Sequence, residues 1–196
     1  MGDLFRRPLI VVDTETTGFL DDPEAQPWEI GAVLLHRSGA ELSTFSAIGC
    51  PAALHDRMLP ALRIGGVTMD YLRDQPPMSE IVIDFQAWLA ERSKEATESR
   101  AWTAFNIAFD RPMLTRIGVQ VETWAPCIME RVKPIMGNAG ALPWFDKYND
   151  WKMPKLSEAA AFFNVPQQEP AHRALADART AALIAVELVK RMKGAK

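Results

Sequence analysis

The sequence predicts a single α/β domain, and three observations carry that prediction. Three strand-like runs follow one another near the N-terminus. Behind them, helical periodicities alternate with short strand-like segments, the pattern of an α/β domain. The chain has 196 residues, 48% of them hydrophobic and 24% charged, enough for one full core and short for two. The expected domain covers residues 1–196, with its core at about 8–192.

The first strand ends the apolar run Ile10-Val11-Val12 and continues into Asp13-Thr14-Glu15-Thr16-Thr17-Gly18. Phe19–Pro27, with two prolines and three acids, reads as a loop. Trp28–Leu35 and Ala40–Ile48 read as strands joined by a hairpin turn at Arg37-Ser38-Gly39, completing an antiparallel meander. Within the mixed segment Ala52–Pro77, Ile64-Gly65-Gly66-Val67-Thr68 leads into a short helix at Met69–Arg73. Met78, Ile81, Val82, Phe85, Trp88 and Leu89 then line one face of a helix reaching about Glu95, and Trp88 is read as core. Arg100–Asn106 is a strand and Ala108–Ile117 a helix stopped by Gly118, with Pro112 in its first turn, where a missing N–H costs little. Thr123–Met129 is read as a further strand and Glu130–Met136 as a helix. Gly137–Pro154 is irregular, and Leu156–Phe163 is helical. A long helix from about Arg173 to Met192 buries Leu175, Ala178, Ala182, Ala185, Val186 and Val189.

Composition excludes several classes. No apolar stretch approaches membrane-spanning length, and Leu4-Phe5-Arg6-Arg7-Pro8 is not a signal peptide. Cys50 and Cys127 stand alone, without a C-x-x-C pair, and the three histidines are not clustered as in a zinc site. A reduced, cytoplasmic protein is expected. The net charge of −3 is not that of a protein held on nucleic acid by bulk charge. Two bound divalent cations would bring the sum to about +1 and concentrate it at one site, so a phosphodiester substrate remains compatible.

Asp13 and Glu15 share one face of their strand, because side chains alternate with a period of two. Two neighbouring carboxylates at the end of a buried strand repel and lose hydration, which a cation between them would relieve. Mg²⁺ and Mn²⁺ prefer such oxygen ligands. A lone D-x-E also suits two solvated loop acids. Asp110, following a strand and opening a helix, suits an acid favoured by the helix dipole, and His172 with Asp177 suits a surface pair.

Taken jointly, the order is D-x-E, then Phe105-Asn106-Ile107-Ala108-Phe109-Asp110, then His172-Arg173-Ala174-Leu175-Ala176-Asp177-Ala178. With Val12-Asp13-Thr14-Glu15-Thr16-Thr17-Gly18 and Glu29-Ile30-Gly31-Ala32-Val33, this resembles the DEDDh (DnaQ-like) 3′–5′ exonucleases, over about Pro8 to Val189. The resemblance implies a ribonuclease H-like fold, with a mixed five-stranded sheet of antiparallel meander plus parallel strands and helices on both faces. It implies hydrolysis by two divalent cations, Mg²⁺ or Mn²⁺, held by Asp13, Glu15, Asp110 and Asp177, with His172 as general base. By the same resemblance Asp13 bridges the ions, Glu15 and Asp177 complete the first, and Asp110 supports the second. One ion acidifies a water whose proton the imidazole takes, and the other stabilises the departing 3′ oxygen. Thr16, Thr17, Gly18, Phe105 and Asn106 would receive the 3′-terminal nucleotide, and the products would be nucleoside 5′-monophosphates.

The sequence departs from many relatives at Gly65, where their Ile-His-Gly-Ile-Thr-like stretch carries a substrate-contacting histidine. Trp144–Lys155 interleaves aromatic rings with Lys147, Lys152 and Lys155, as a single-strand contact or as a loop pinned to the core. Arg173 and Arg179 are alternative phosphate contacts. The expected substrate is a single-stranded or frayed DNA 3′ end. The alternatives are an exoribonuclease of the ribonuclease T or oligoribonuclease kind and a non-catalytic module that binds a polymerase. The D-T-E-T-T-G text is closer to the proofreading type than to the D-x-E-M-T-G form of oligoribonucleases. A polymerase or replication partner fits the family, whereas the short tail Lys193-Gly194-Ala195-Lys196 favours a free-standing enzyme. Oligomeric state is left open by the sequence.

Overall fold

The computed structural model describes residues 4, 6–95, 100–121 and 123–194. Three strands, β1 (Leu9–Thr16), β2 (Pro27–Leu35) and β3 (Glu41–Ile48), form the expected meander. Two short helices follow, α1 (Leu59–Ile64) and α2 (Met69–Arg73), then α3 (Met78–Glu95), β4 (Ala101–Thr103) and α4 (Ile107–Arg116). The remainder is α5 (Ile128–Asn138), a small hairpin of β5 (Trp144–Phe145) and β6 (Asp150–Trp151), α6 (Leu156–Phe163) and α7 (Ala174–Gly194).

The main sheet has the order β3-β2-β1-β4, antiparallel except for the parallel β1–β4 pair. Among the described residues it has four strands, not the expected five. The predicted strand Thr123–Met129 contracts to one parallel bridge between Trp102 and Trp124. Trp102 donates its N–H to Thr123 and accepts one from Ala125, and the ladder stops there. Pro126 follows without an N–H, and the amides of Ile128 and Met129 turn instead onto the carbonyls of Ala104 and Phe105, opening α5 early.

The period-two pattern of β1 and β2 splits the core into two layers. Leu9, Val11, Val33 and Leu35 face α5, α6 and α7, while Ile10, Val12, Ile30, Ala32 and Leu34 face α3 and α4. Trp88, as read from the sequence, belongs to the second layer. Its ring stacks on Phe85 at 5.8 Å and its indole N–H donates to Ser43 Oγ at 3.0 Å. Trp28 makes a third, smaller cluster with Leu62 of α1 and Leu72 of α2, over the C-terminal end of β1. Gly65 is the residue this cluster requires, because a Cβ there would lie 2.4 Å from the Trp28 ring. Among the described residues, no helix is long and apolar enough to cross a membrane.

Candidate active site

Asp13 and Glu15 occupy odd positions of β1 and therefore face the α7 side, continuing the row of Leu9 and Val11. Opposite them in register stand Gly31 and Glu29 of β2. Gly31 is bare for a reason: a Cβ there would lie 2.1 Å from the Ala174 carbonyl carbon and 2.2 Å from Leu175 N. The first turn of α7 thus rests directly on the strand beside Asp13. His172 precedes that turn in a left-handed conformation with φ of 58°, and Asp177 follows within it, its amide bonded to the Arg173 carbonyl at 3.0 Å.

Glu15, His172 and Asp177 come together, each offering one ligand atom within 4.8 Å of the others. His172 is exposed at the mouth of this group, and Asp177 Oδ1 is buried without a hydrogen-bond partner. Asp110 arrives from the other side of the sheet. β4 pairs with β1 only as far as Val11, so the Thr14 amide beyond it has no strand partner on that edge. Asp110 Oδ1 takes its place, accepting from Thr14 N at 3.1 Å and from Thr14 Oγ1 at 2.9 Å. At 3% exposure, Asp110 is not a solvated helix-end acid.

The electrostatics follow from this crowding. Burial, reinforced by the charges of Asp110, Glu15 and Asp177, holds the Asp13 carboxyl well above the ordinary carboxylate range. Burial, with Asp177 and Glu29 adding to it, pushes Glu15 up to about 8. Burial pushes Asp110 to about 7 despite the two Thr14 hydrogen bonds, which act in the opposite direction. Asp177 is raised by burial, opposed by the charge of His172. Four acids that resist ionisation together form a site suited to concentrated positive charge.

The residues expected to receive a terminal nucleotide divide by exposure. Thr16, Gly18 and Asn106 are partly exposed, whereas Thr17 and Phe105 are buried. Thr17 is spent inside its loop, its N–H donating to the Gln26 carbonyl and its Oγ1 accepting from Gln26 N. Phe105 packs with Ile128 and Met129 in the α7-side core. Trp28 donates its indole N–H to the Thr16 carbonyl at 3.2 Å and fixes this rim from beneath.

Neither arginine considered as a phosphate contact is free. Arg173 grips Glu29 through Nε at 2.9 Å and Nη2 at 3.0 Å, and Arg179 pairs with Glu41 at 3.1 Å. The Trp144–Lys155 segment is the β5–β6 hairpin. Trp151 anchors it against Gly137, while Trp144, Phe145 and Tyr148 remain exposed. Its lysine complement is reduced, since Lys152 binds Glu158 at 2.6 Å and Lys147 lies over the Tyr148 ring.

Four structural residues escaped the sequence reading: Thr14, Trp28, Glu29 and Gly31. Their partners are distant in sequence, and Glu29-Ile30-Gly31 stood out only as text flanking the carboxylate motif.

No family model matches the chain, and no curated protein matches it by sequence. Solved structures do. Cell-death related nuclease 4 (CRN-4) aligns with a TM-score of 0.71 and 13% identity, over 94% of this chain and 64% of that one. The nuclease domain of 3′hExo, a DEDDh family member bound to rAMP, aligns at 0.70 and 17%, over 97% and 95%. E. coli Exonuclease I, in complex with a dT13 oligonucleotide, aligns at 0.69 and 15% over 96% of this chain. The chain spans 42% of Exonuclease I, well under the length of that enzyme. The chain therefore has the ribonuclease H-like fold of the DEDDh 3′-exonucleases.

Proposed function

We propose that this domain is a metal-dependent 3′–5′ exonuclease that trims single-stranded or frayed DNA 3′ ends to nucleoside 5′-monophosphates. The observation that carries the reading is the convergence of Asp13, Glu15, Asp110 and Asp177 beside an exposed His172, with Asp177 Oδ1 buried and unpartnered. The donor set fits hard divalent cations: it is rich in carboxylate oxygen and its acids are raised by burial and mutual repulsion. Asp13, Glu15, Asp110 and Asp177 would hold them. When bound, a pair of Mg²⁺ or Mn²⁺ ions supplies neutralising charge, a more acidic water and stabilisation of the leaving 3′ oxygen.

The protein's own groups supply the rest. A ring nitrogen of His172 takes the proton of the attacking water, a task suited to imidazole. Thr14 holds Asp110 in one orientation through two hydrogen bonds. Thr16, Gly18 and Asn106 offer the rim against which a terminal nucleotide rests. An RNA substrate is the second reading, favoured by the match to 3′hExo, whose structure holds rAMP.

The test is digestion of matched 5′-labelled DNA and RNA single strands with Mg²⁺ or Mn²⁺. Stepwise shortening from the 3′ end is expected, faster for DNA. Faster loss of RNA would replace the DNA reading with the RNA one. No shortening of either strand, with no metal-induced rise in melting temperature, would overturn the enzyme reading.

A further inference from the structure

We infer that Glu29 and Arg173 are positioning residues: a part-buried ion pair, its carboxylate buried and its guanidinium partly exposed, that fixes the entry of α7, and with it His172 and Asp177, against the carboxylates of β1. Its activity readouts rest on the nuclease reading; its other readouts do not.

Glu29 faces the same side of the sheet as Asp13 and Glu15 and stands directly opposite Glu15 in register. It is 1% exposed. A third acid on that face would be a further candidate cation ligand, yet both of its oxygens are occupied. Oε2 accepts from Arg173 Nε at 2.9 Å and from the Ala174 amide at 3.3 Å, and Oε1 accepts from Arg173 Nη2 at 3.0 Å. The carboxylate thus caps the first amide of α7 and clamps the side chain just before it.

A two-pronged guanidinium–carboxylate contact admits one orientation, which a lysine's point charge would not impose. The consequence reaches the site through the backbone. His172 is the immediate neighbour of Arg173, held at a φ of 58°, and the Asp177 amide bonds to the Arg173 carbonyl. Rotating Arg173 would turn the imidazole and swing Asp177 away from Glu15. Gly31, two residues along the same face of β2, leaves the space into which this clamp draws the helix. β2 is therefore a cradle for α7, with a gap at Gly31 and an anchor at Glu29.

The test compares full-length Glu29→Gln, Arg173→Gln, the double variant and Arg173→Lys. Three readouts are taken: the Mn²⁺ dissociation constant by calorimetry, the His172 ring resonances of metal-free protein, and kcat and KM on a single strand. Each single variant is expected to weaken Mn²⁺ binding and lower kcat roughly 10–100-fold, as loss of a ligand-orienting partner does. KM should stay within about twofold, and the double variant should match the worse single, because both act through one contact.

The His172 resonances should move alike in both singles. If Glu29→Gln does not fold, Arg173→Lys, which keeps the neutralising charge and loses only the fork, carries the comparison. Unchanged resonances and Mn²⁺ affinity would overturn the inference, as would multiplying effects in the double variant. A rise in KM confined to Arg173→Gln would also overturn it, by making the guanidinium a strand contact. A wild-type protein that binds Mn²⁺ but shortens no strand would sink the nuclease reading alone, leaving the first two readouts to decide this one.

Discussion

Replacing Glu15 by glutamine should stabilise the metal-free protein, and the gain should grow with pH. The carboxyl is moved from 4.5 to about 8, first by burial and then by Asp177 and Glu29. The folded state consequently holds this proton more tightly than the unfolded chain does. Stability is full below pH 4.5 and falls as pH rises toward 8, where the folded carboxyl finally ionises. Holding Glu15 against its unfolded-state ionisation costs about 3 kcal/mol at pH 7 and about 5 kcal/mol above pH 9. Glutamine keeps the shape and carries no charge. For a chain of this size, about 3 kcal/mol corresponds to a rise in melting temperature of roughly 6–12 °C.

Thermal unfolding of both proteins in EDTA from pH 5 to 9 reads the effect. The two curves should nearly meet at pH 5 and diverge steadily toward pH 8. Adding Mn²⁺ should reverse the order, because only the wild type gains the full benefit of binding. A glutamine variant that melts below the wild type at pH 8 without metal would refute the reasoning. So would a difference that does not change with pH, since the carboxyl would then carry no burial or repulsion.

Asp13→Ala should abolish hydrolysis while leaving the far-ultraviolet dichroism intact; surviving turnover would remove Asp13 from the centre of the site. His172→Ala should keep Mn²⁺ binding and slow turnover by about 10²–10⁴, the usual weight of a general base. Calorimetry separates the roles of the imidazole, which lies within ligand reach of Glu15 and Asp177, because lost Mn²⁺ binding would make it a ligand. Gly31→Ala should cost about 3 kcal/mol or more by driving a methyl into the Ala174 backbone, and should remove activity even where the protein still folds. A melting curve and a digestion assay check it together.

What the sequence made legible is what short-range periodicity encodes. The meander, α2, α3 and α6 were read within a residue or so of their bounds, because apolar spacing and turn residues lie within each segment. The failed strand at Thr123–Met129 shows the limit. Its composition suits a strand, but Pro126 ends the ladder and the carbonyls of Ala104 and Phe105 draw the next amides into a helix. The candidate site follows the same division. The acids could be ordered along the chain, whereas what holds them lies across it. Thr14 meets Asp110 96 residues away, and Glu29 meets Arg173 at 144. Gly65 is instructive because many of the exonucleases that the sequence resembles carry a histidine there, while this chain needs the space for Trp28.

The two arginines of α7 show why side-chain type and local position are not enough to assign a phosphate contact. In sequence, Arg173 and Arg179 flank Asp177 almost alike. In the fold they lie at opposite ends of the sheet. Glu41, the partner of Arg179, pairs in register with Leu35, which pairs with Leu9 at the start of β1, while the carboxylates lie at its end. Arg179 is therefore too far along the strand to meet a nucleotide seated at Asp13. With Arg173 clamped by Glu29, neither of these arginines is available to a phosphate, and under the proposed reading bound cations would supply the positive charge, consistent with a chain whose net charge is −3. Arg179→Ala should accordingly leave KM and kcat unchanged and cost no more than about 1 kcal/mol of stability, the range of an exposed pair. A severalfold rise in KM in that variant would place the strand over the far end of the sheet and contradict the path inferred from the register.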